Sequence, residues 1–235
     1  MNRGAPQSRI TLAILTGLLL SYASVAGTAA CGQAAASRQA AMPTVGGCKP
    51  LSERTGETGC WIVLSQPLGQ LPQTPVFWSL DLFPTHAAAE AAKGPHGIVT
   101  EALGKSWVFT IGDKAQRPAG GKPVAQIGPI PIKPGESYTA QFMEAVLPPG
   151  IPTRTHRHPG PEVFYTEAGE SCLETPAGKQ VGRPGVDVII PEGPPMILMT
   201  SGTVTRRSIV LVLHSTSQPW MTMADDWTPK FLCRT

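Results

Sequence analysis

Charge is scarce in this chain. Only 15% of its 235 residues are Asp, Glu, Lys or Arg, and 19 basic against 16 acidic side chains leave a formal charge of +3 with no Lys/Arg run. That excludes the concentrated basic footprint of a nucleic-acid binder and the polybasic patch of a membrane-surface protein. Aromatic residues are also few, at 6%. A Ser/His/Asp arrangement, a glycine-rich phosphate loop and an HExxH helix are all missing, so hydrolase and nucleotide chemistries of those kinds have no support. No apolar run reaches the roughly 20 residues that a membrane-spanning helix needs. What is plentiful is Gly and Pro, 25 of each, which fits many short strands joined by tight turns better than long helices. The length suits one principal all-β domain, and 41% hydrophobic residues suffice for one sizeable core.

Arg3 and Arg9 precede an uncharged apolar run from Ile10 to Ala26, broken by Thr16, Gly17, Ser21 and Ser24 and followed by small residues. Residues 1–30 therefore read as a signal peptide. The expectation is an exported protein, periplasmic or extracellular, with no transmembrane domain in its mature form. Thr28-Ala29-Ala30-Cys31 is similar to a bacterial lipoprotein box, with Thr28 where such boxes carry Leu, so lipid anchoring through Cys31 stands as the alternative to plain cleavage after Ala26 or Ala30. Residues 31–46, rich in Ala, Gln, Ser and Gly, read as a flexible linker.

Order is expected from about Cys48 onward. Trp61–Ser65 and Val76–Phe83 read as strands, and Pro84 ends the second. Thr85 is placed to cap a short Ala-rich helix over His86–Lys93, closed by Gly94-Pro95. Ile98–Ala102 and Ser106–Ile111 flank Leu103-Gly104-Lys105 as a hairpin. We assign residues 47–123 to an N-terminal β-rich extension packing on a barrel formed by residues 124–235. In that second part, strands are expected at Tyr138–Leu147, Thr153–His158, Glu162–Ala168, Val186–Pro191, Met196–Thr200 and Ser208–His214, a spacing that suits an antiparallel sandwich or barrel with an interior pocket.

The most informative stretch runs from Gly150 to Gly169 and contains His156-Arg157-His158-Pro159-Gly160-Pro161-Glu162. Side chains alternate along a strand, so His156 and His158 share a face, and a tight turn at Pro159-Gly160-Pro161 would bring Glu162 up opposite them on a returning strand. Two imidazoles and a carboxylate make a facial ligand set for a divalent first-row metal, with coordination positions left open.

This segment resembles the first motif of the cupin superfamily: Gly, five residues, His-x-His, three or four residues, Glu, six residues, Gly. The second cupin motif is similar to Gly185 through Thr200, where Gly185, Pro191 and Gly193 fall in place. Met196 stands where the fourth ligand histidine belongs, and Thr200 where an Asn belongs. The resemblance implies an all-β fold, a cupin-type double-stranded β-helix or jelly-roll barrel, here with an N-terminal β-rich extension carrying one short helix; a degenerate first cupin half is the alternative for that extension. It implies one divalent transition metal, iron, manganese, copper or zinc, on His156, His158 and Glu162. It also implies a small-molecule ligand or substrate, with homodimerisation an open expectation. One functional reading is a mononuclear 2-His-1-carboxylate oxidoreductase, an oxidase or dioxygenase; the other is a noncatalytic metal- or small-ligand-binding module.

Met196 is a candidate fourth ligand whose thioether would favour copper, or a core side chain. His214 is a lesser substitute. Arg154, two residues before His156 and facing the same way, is a candidate for binding an anionic substrate or for a simple ion pair. His86 and His96 gain no role, and Glu167 and Glu170 are expected to be solvated. With Cys31 set aside, Cys48, Cys60, Cys172 and Cys233 remain, which in an exported protein read as disulfides rather than zinc ligands. The expected pairs are Cys48–Cys60, closing a short loop, and Cys172–Cys233, tying the tail to the ligand-bearing hairpin.

Overall fold

The computed structural model describes residues 47–73 and 75–234, so the expected signal peptide, the linker and Cys31 lie outside the described residues. The first strand, β1 (Lys49–Pro50), runs parallel to β2 (Gly59–Gln70). Next come β3 (Val76–Phe83), α1 (His86–Ala92), β4 (Gly97–Ala102), β5 (Lys105–Gly112) and β6 (Lys122–Ile130), whose strands form an antiparallel sheet in the order β4-β5-β3-β6. Thr85 caps α1 as expected: its hydroxyl accepts from the Ala88 amide at 3.1 Å.

The rest of the chain supplies β7 (Ser137–Leu147), β8 (His156–Arg157), β9 (Glu162–Ala168), β10 (Glu170–Thr175), β11 (Gly178–Gly182), β12 (Val188–Ile190), β13 (Ile197–Ser201), β14 (Arg206–Ser215) and β15 (Thr222–Met223). Strands β7, β14, β9 and β12 lie side by side in one sheet, which β2 and β1 extend beyond β7. Strands β11, β10 and β13 form the facing sheet, and β8 adjoins it where the His156 and Met196 backbones exchange two hydrogen bonds of 3.1 and 2.8 Å. Eight strands thus divide four and four in the crossing order of a jelly roll, the double-stranded β-helix implied by the first motif.

Strand β14 shows why the layers stack as they do. Ile209, Leu211 and Leu213 enter one core, with Trp78, Phe109 and Phe142 packed between the large sheet and the four-stranded sheet. Val210 and Val212 enter the other core, inside the jelly roll, with Met143, Phe164, Leu173 and Ile190. A strand buried on both faces needs an unbroken apolar run, and Ile209–Leu213 is one.

Five strands escaped the sequence reading, β1 among them with only two residues. Strand β6 carries Pro123 and Pro129, which remove amide donors, yet it sits at the edge of its sheet where donors are dispensable. The β10–β11 hairpin is largely polar, and β15 is two residues long. Conversely, of the strand expected over Thr153–His158 only His156–Arg157 is regular.

Both disulfides join the expected partners, Cys48 with Cys60 and Cys172 with Cys233. The second ties the C-terminal tail to β10 rather than to a ligand-bearing hairpin, and Glu174 on the same strand reinforces it by accepting from the Lys230 and Leu232 amides at 2.5 and 2.7 Å. Two disulfides fit an oxidising compartment. Among the described residues, no helix is long and apolar enough to cross a membrane.

Candidate metal centre

His156, His158 and Glu162 do come together, though not on a hairpin. Strand β8 belongs with β13 and β15, whereas β9 pairs with β14 and β12. The Pro159-Gly160-Pro161 segment is a corner that carries the chain from one sheet to the other, so the ligands converge across the sandwich. That corner lies directly on β14: the Leu213 and Ser215 amides donate to the Pro161 and Pro159 carbonyls at 3.0 and 3.1 Å. A Cβ on Gly160 would fall 1.7 Å from the Leu213 carbonyl oxygen, so only glycine permits this approach.

The ligand atoms of the three side chains lie within 4.8 Å of one another, and all three residues are buried. Each histidine is oriented from behind. The Nδ1 of His156 sits 2.7 Å from the Arg154 carbonyl oxygen, and that of His158 2.7 Å from the Trp220 carbonyl oxygen. A carbonyl can only accept, so each Nδ1 carries the proton and each Nε2 presents a lone pair toward the cluster. The Trp220 indole stacks on the His158 ring, with centroids 5.6 Å apart and planes 20° from parallel. Inside the site, His158 Nε2 and Glu162 Oε2 are 3.6 Å apart and both lack a hydrogen-bond partner. Buried, unpartnered and convergent, these atoms fit a cation, which would satisfy them together.

Burial sets the protonation of the three groups. His156 is pushed below the usual imidazole range by burial, and His158 falls to about 3, by burial first and then by the neighbouring charge of His156. Glu162 rises to about 8 because burial disfavours its carboxylate, an effect that Arg206 opposes.

The cluster opens into a cavity lined largely by apolar side chains, Met143, Val210 and Met223 among them. Arg154 reaches this lining but is itself exposed. Met196 faces the jelly-roll interior directly across from His156, yet its side chain is packed in the apolar cluster with Phe164, Leu173 and Leu198. His214 is buried with its Nδ1 2.9 Å from the Ser215 carbonyl, outside the three-residue ligand set. Glu167 and Glu170 are not free in solvent: Glu167 pairs with Lys105 and Arg207, and Glu170 accepts from the Ser201 hydroxyl at 3.0 Å.

The sequence reading missed Arg206. This residue is only 1% exposed, lines the same cavity and is brought down to about 10 by burial. Counting back by twos from Val212 and Val210 through Ser208 puts Arg206 on the inward face, the signal that could have found it. Trp220, which orients His158 through a backbone carbonyl, leaves no trace at sequence level.

No family model and no curated protein matches the chain. Among solved structures, it is similar to a cupin-like protein of Thermotoga maritima at 17% identity and a TM-score of 0.33, over 36% of this chain and 64% of that one. It is also similar to the DMSP lyase DddQ of Ruegeria pomeroyi, at 19% identity and a TM-score of 0.31, over 36% of this chain and 43% of the lyase. A third similarity is to an uncharacterized protein with a double-stranded β-helix domain from Klebsiella pneumoniae, at 20% identity and a TM-score of 0.31, over 47% and 85% of the two chains. The matched region thus spans less than two thirds of the first two of these proteins.

Proposed function

We propose that this is an exported cupin-type protein that holds one divalent transition metal on His156, His158 and Glu162 and acts on a small organic substrate as an oxidase or dioxygenase. One observation carries the proposal. Three buried ligand atoms converge within 4.8 Å, with both imidazoles locked in the ligand-competent tautomer. Bound there, the metal would supply Lewis-acid polarisation and a water of lowered pKa. The chain's own part is to aim the two Nε2 lone pairs, to offer the Glu162 carboxylate opposite them, and to exclude bulk water with apolar walls. Arg154, at the exposed side of the lining, would meet an anionic substrate as it enters.

The noncatalytic reading has its own support: Glu162 is the one carboxylate among the described residues lining the cavity, so no second acid or base stands ready, and Met196 replaces the fourth histidine with a packed thioether. Metal analysis of protein purified without added metal, beside a His156→Ala, His158→Ala double variant, tests the shared premise. About one metal per chain in the wild type and well below one in the variant is expected; full occupancy in the variant would sink the assignment. Oxygen uptake by iron-, manganese- and copper-loaded protein with short organic acids then separates catalyst from carrier.

A further inference from the structure

The charge around the cavity does not balance. Among the described residues lining it, Glu162 is the single carboxylate, while Arg154 and Arg206 bring two guanidiniums. Arg154 is exposed and screened by water. Arg206 is buried in the interior, and its partners are weak: Nη1 reaches the Ser171 hydroxyl at 3.4 Å, and Nε has none. No ion pair joins it to Glu162 among the described residues, although the two attract through the cavity. A buried guanidinium with so little to hold it is costly unless an anion answers it. A cation on Glu162 makes the imbalance worse, because it claims the only carboxylate and adds two positive charges.

We propose that the cavity binds a small carboxylate, placed between the Arg206 guanidinium and the cluster of His156, His158 and Glu162. Arg206 is then the residue that selects an anion over a neutral molecule of the same shape. The inference draws strength from the metal reading, but its sign stands without it, since guanidiniums already outnumber carboxylates in the lining. Size narrows the class further. The cavity is small, about 50 Å³, and largely apolar in its walls, which suits a short-chain acid such as a one- or two-carbon carboxylate.

Acetate and acetamide have the same shape and differ in charge, so their comparison isolates the claim. Calorimetric titration in chloride-free buffer should find acetate binding at least about tenfold tighter than acetamide to zinc-loaded wild type, the size of effect a charge-assisted hydrogen bond gives. The ratio should fall several-fold in Arg206→Met, down to what the zinc charge alone gives, and survive in Arg154→Gln. Equal binding of the two ligands by wild type overturns the proposal, and that measurement stands even if Arg206→Met does not fold. Discrimination lost in Arg154→Gln but kept in Arg206→Met also overturns it. Metal uptake is measured separately. If zinc does not bind, the metal reading fails, and the comparison is repeated on metal-free wild type, where a surviving preference for acetate upholds the carboxylate site and its loss ends it.

Discussion

Loading the site with a divalent cation at neutral pH should expel close to one proton per chain. Ligation needs Glu162 as a carboxylate, yet burial holds that group at about 8 in the metal-free protein, so at pH 7 roughly nine chains in ten carry it protonated. The histidines add nothing to the count. Burial has already made them neutral, His158 down to about 3, and their remaining ring protons stay on Nδ1, bonded to the Arg154 and Trp220 carbonyls while Nε2 ligates. Proton release should therefore be about 0.9 at pH 7 and about 0.5 at pH 8, and should fade above pH 9; the apparent affinity should climb with pH above the ordinary imidazole range of about 6.5, approaching tenfold per pH unit, and level off past pH 8. Titrating cobalt(II) into metal-free protein in two buffers of different ionisation enthalpy measures the count directly. Release near zero at pH 7 would mean that Glu162 is either ionised beforehand or not a ligand, and release near two would mean that a histidine is charged. Glu162→Gln should bring the count to about zero.

Stability of the metal-free protein should depend on pH in a defined window. Glu162 has a raised pKa, so its contribution is complete below its ordinary 4.5 and is lost as pH climbs to about 8; His158 has a lowered one, so its contribution is complete above 6.5 and is lost as pH falls toward about 3. Between pH 6.5 and 8 only the Glu162 slope remains, so stability should fall by about 2 kcal/mol, and metal should abolish the fall; a flat metal-free curve in denaturant titrations would contradict a buried protonated carboxyl. Gly160→Ala should cost more than the ~1 kcal/mol typical of a point change and should lower metal occupancy, because a Cβ 1.7 Å from the Leu213 carbonyl oxygen must move the corner off β14; an unchanged thermal midpoint would refute this. Met196→Leu should leave metal content intact and cost under about 1.5 kcal/mol, whereas a selective loss of copper in the variant would reveal a ligand role. Replacing both Cys172 and Cys233 by Ser opens a crosslink with a sequence separation of 61 and should cost about 4 kcal/mol in guanidinium unfolding; a change below about 1 kcal/mol would mean that the Glu174 clamp alone holds the tail.

What was legible in the sequence was whatever obeys a local rule. Thr85 announces α1 because a capping hydroxyl is recognisable at short range, and the long alternating or apolar runs of β3, β7 and β14 declare themselves as strands. The spacing of His156, His158 and Glu162 marks them as a set because strand parity forces the histidines onto one face. Illegible features depend on where an element sits in the finished sheet. The prolines of β6 argue against a strand until one knows that it lies at an edge. Alternation places both histidines inward but does not say that β8 and β9 lie in different sheets, so at sequence level the corner is indistinguishable from a hairpin turn. Only the approach of Leu213 explains why that corner contains Gly160.

Arg206 is the instructive omission, because its importance follows from the company it keeps and not from any motif. In the metal-free interior, burial drives His156, His158 and Glu162 toward their neutral forms, so among the described residues lining the cavity Arg206 is left as the one buried group that stays charged at neutral pH. A cation on the ligand set converts Glu162 to a carboxylate and would relieve Arg206, but the same carboxylate is then spent on the metal. One acid cannot answer both positive centres. The two events the site invites are therefore coupled: a cation raises the affinity for a small anion beside Arg206, and by reciprocity that anion must raise the affinity for the cation by the same factor.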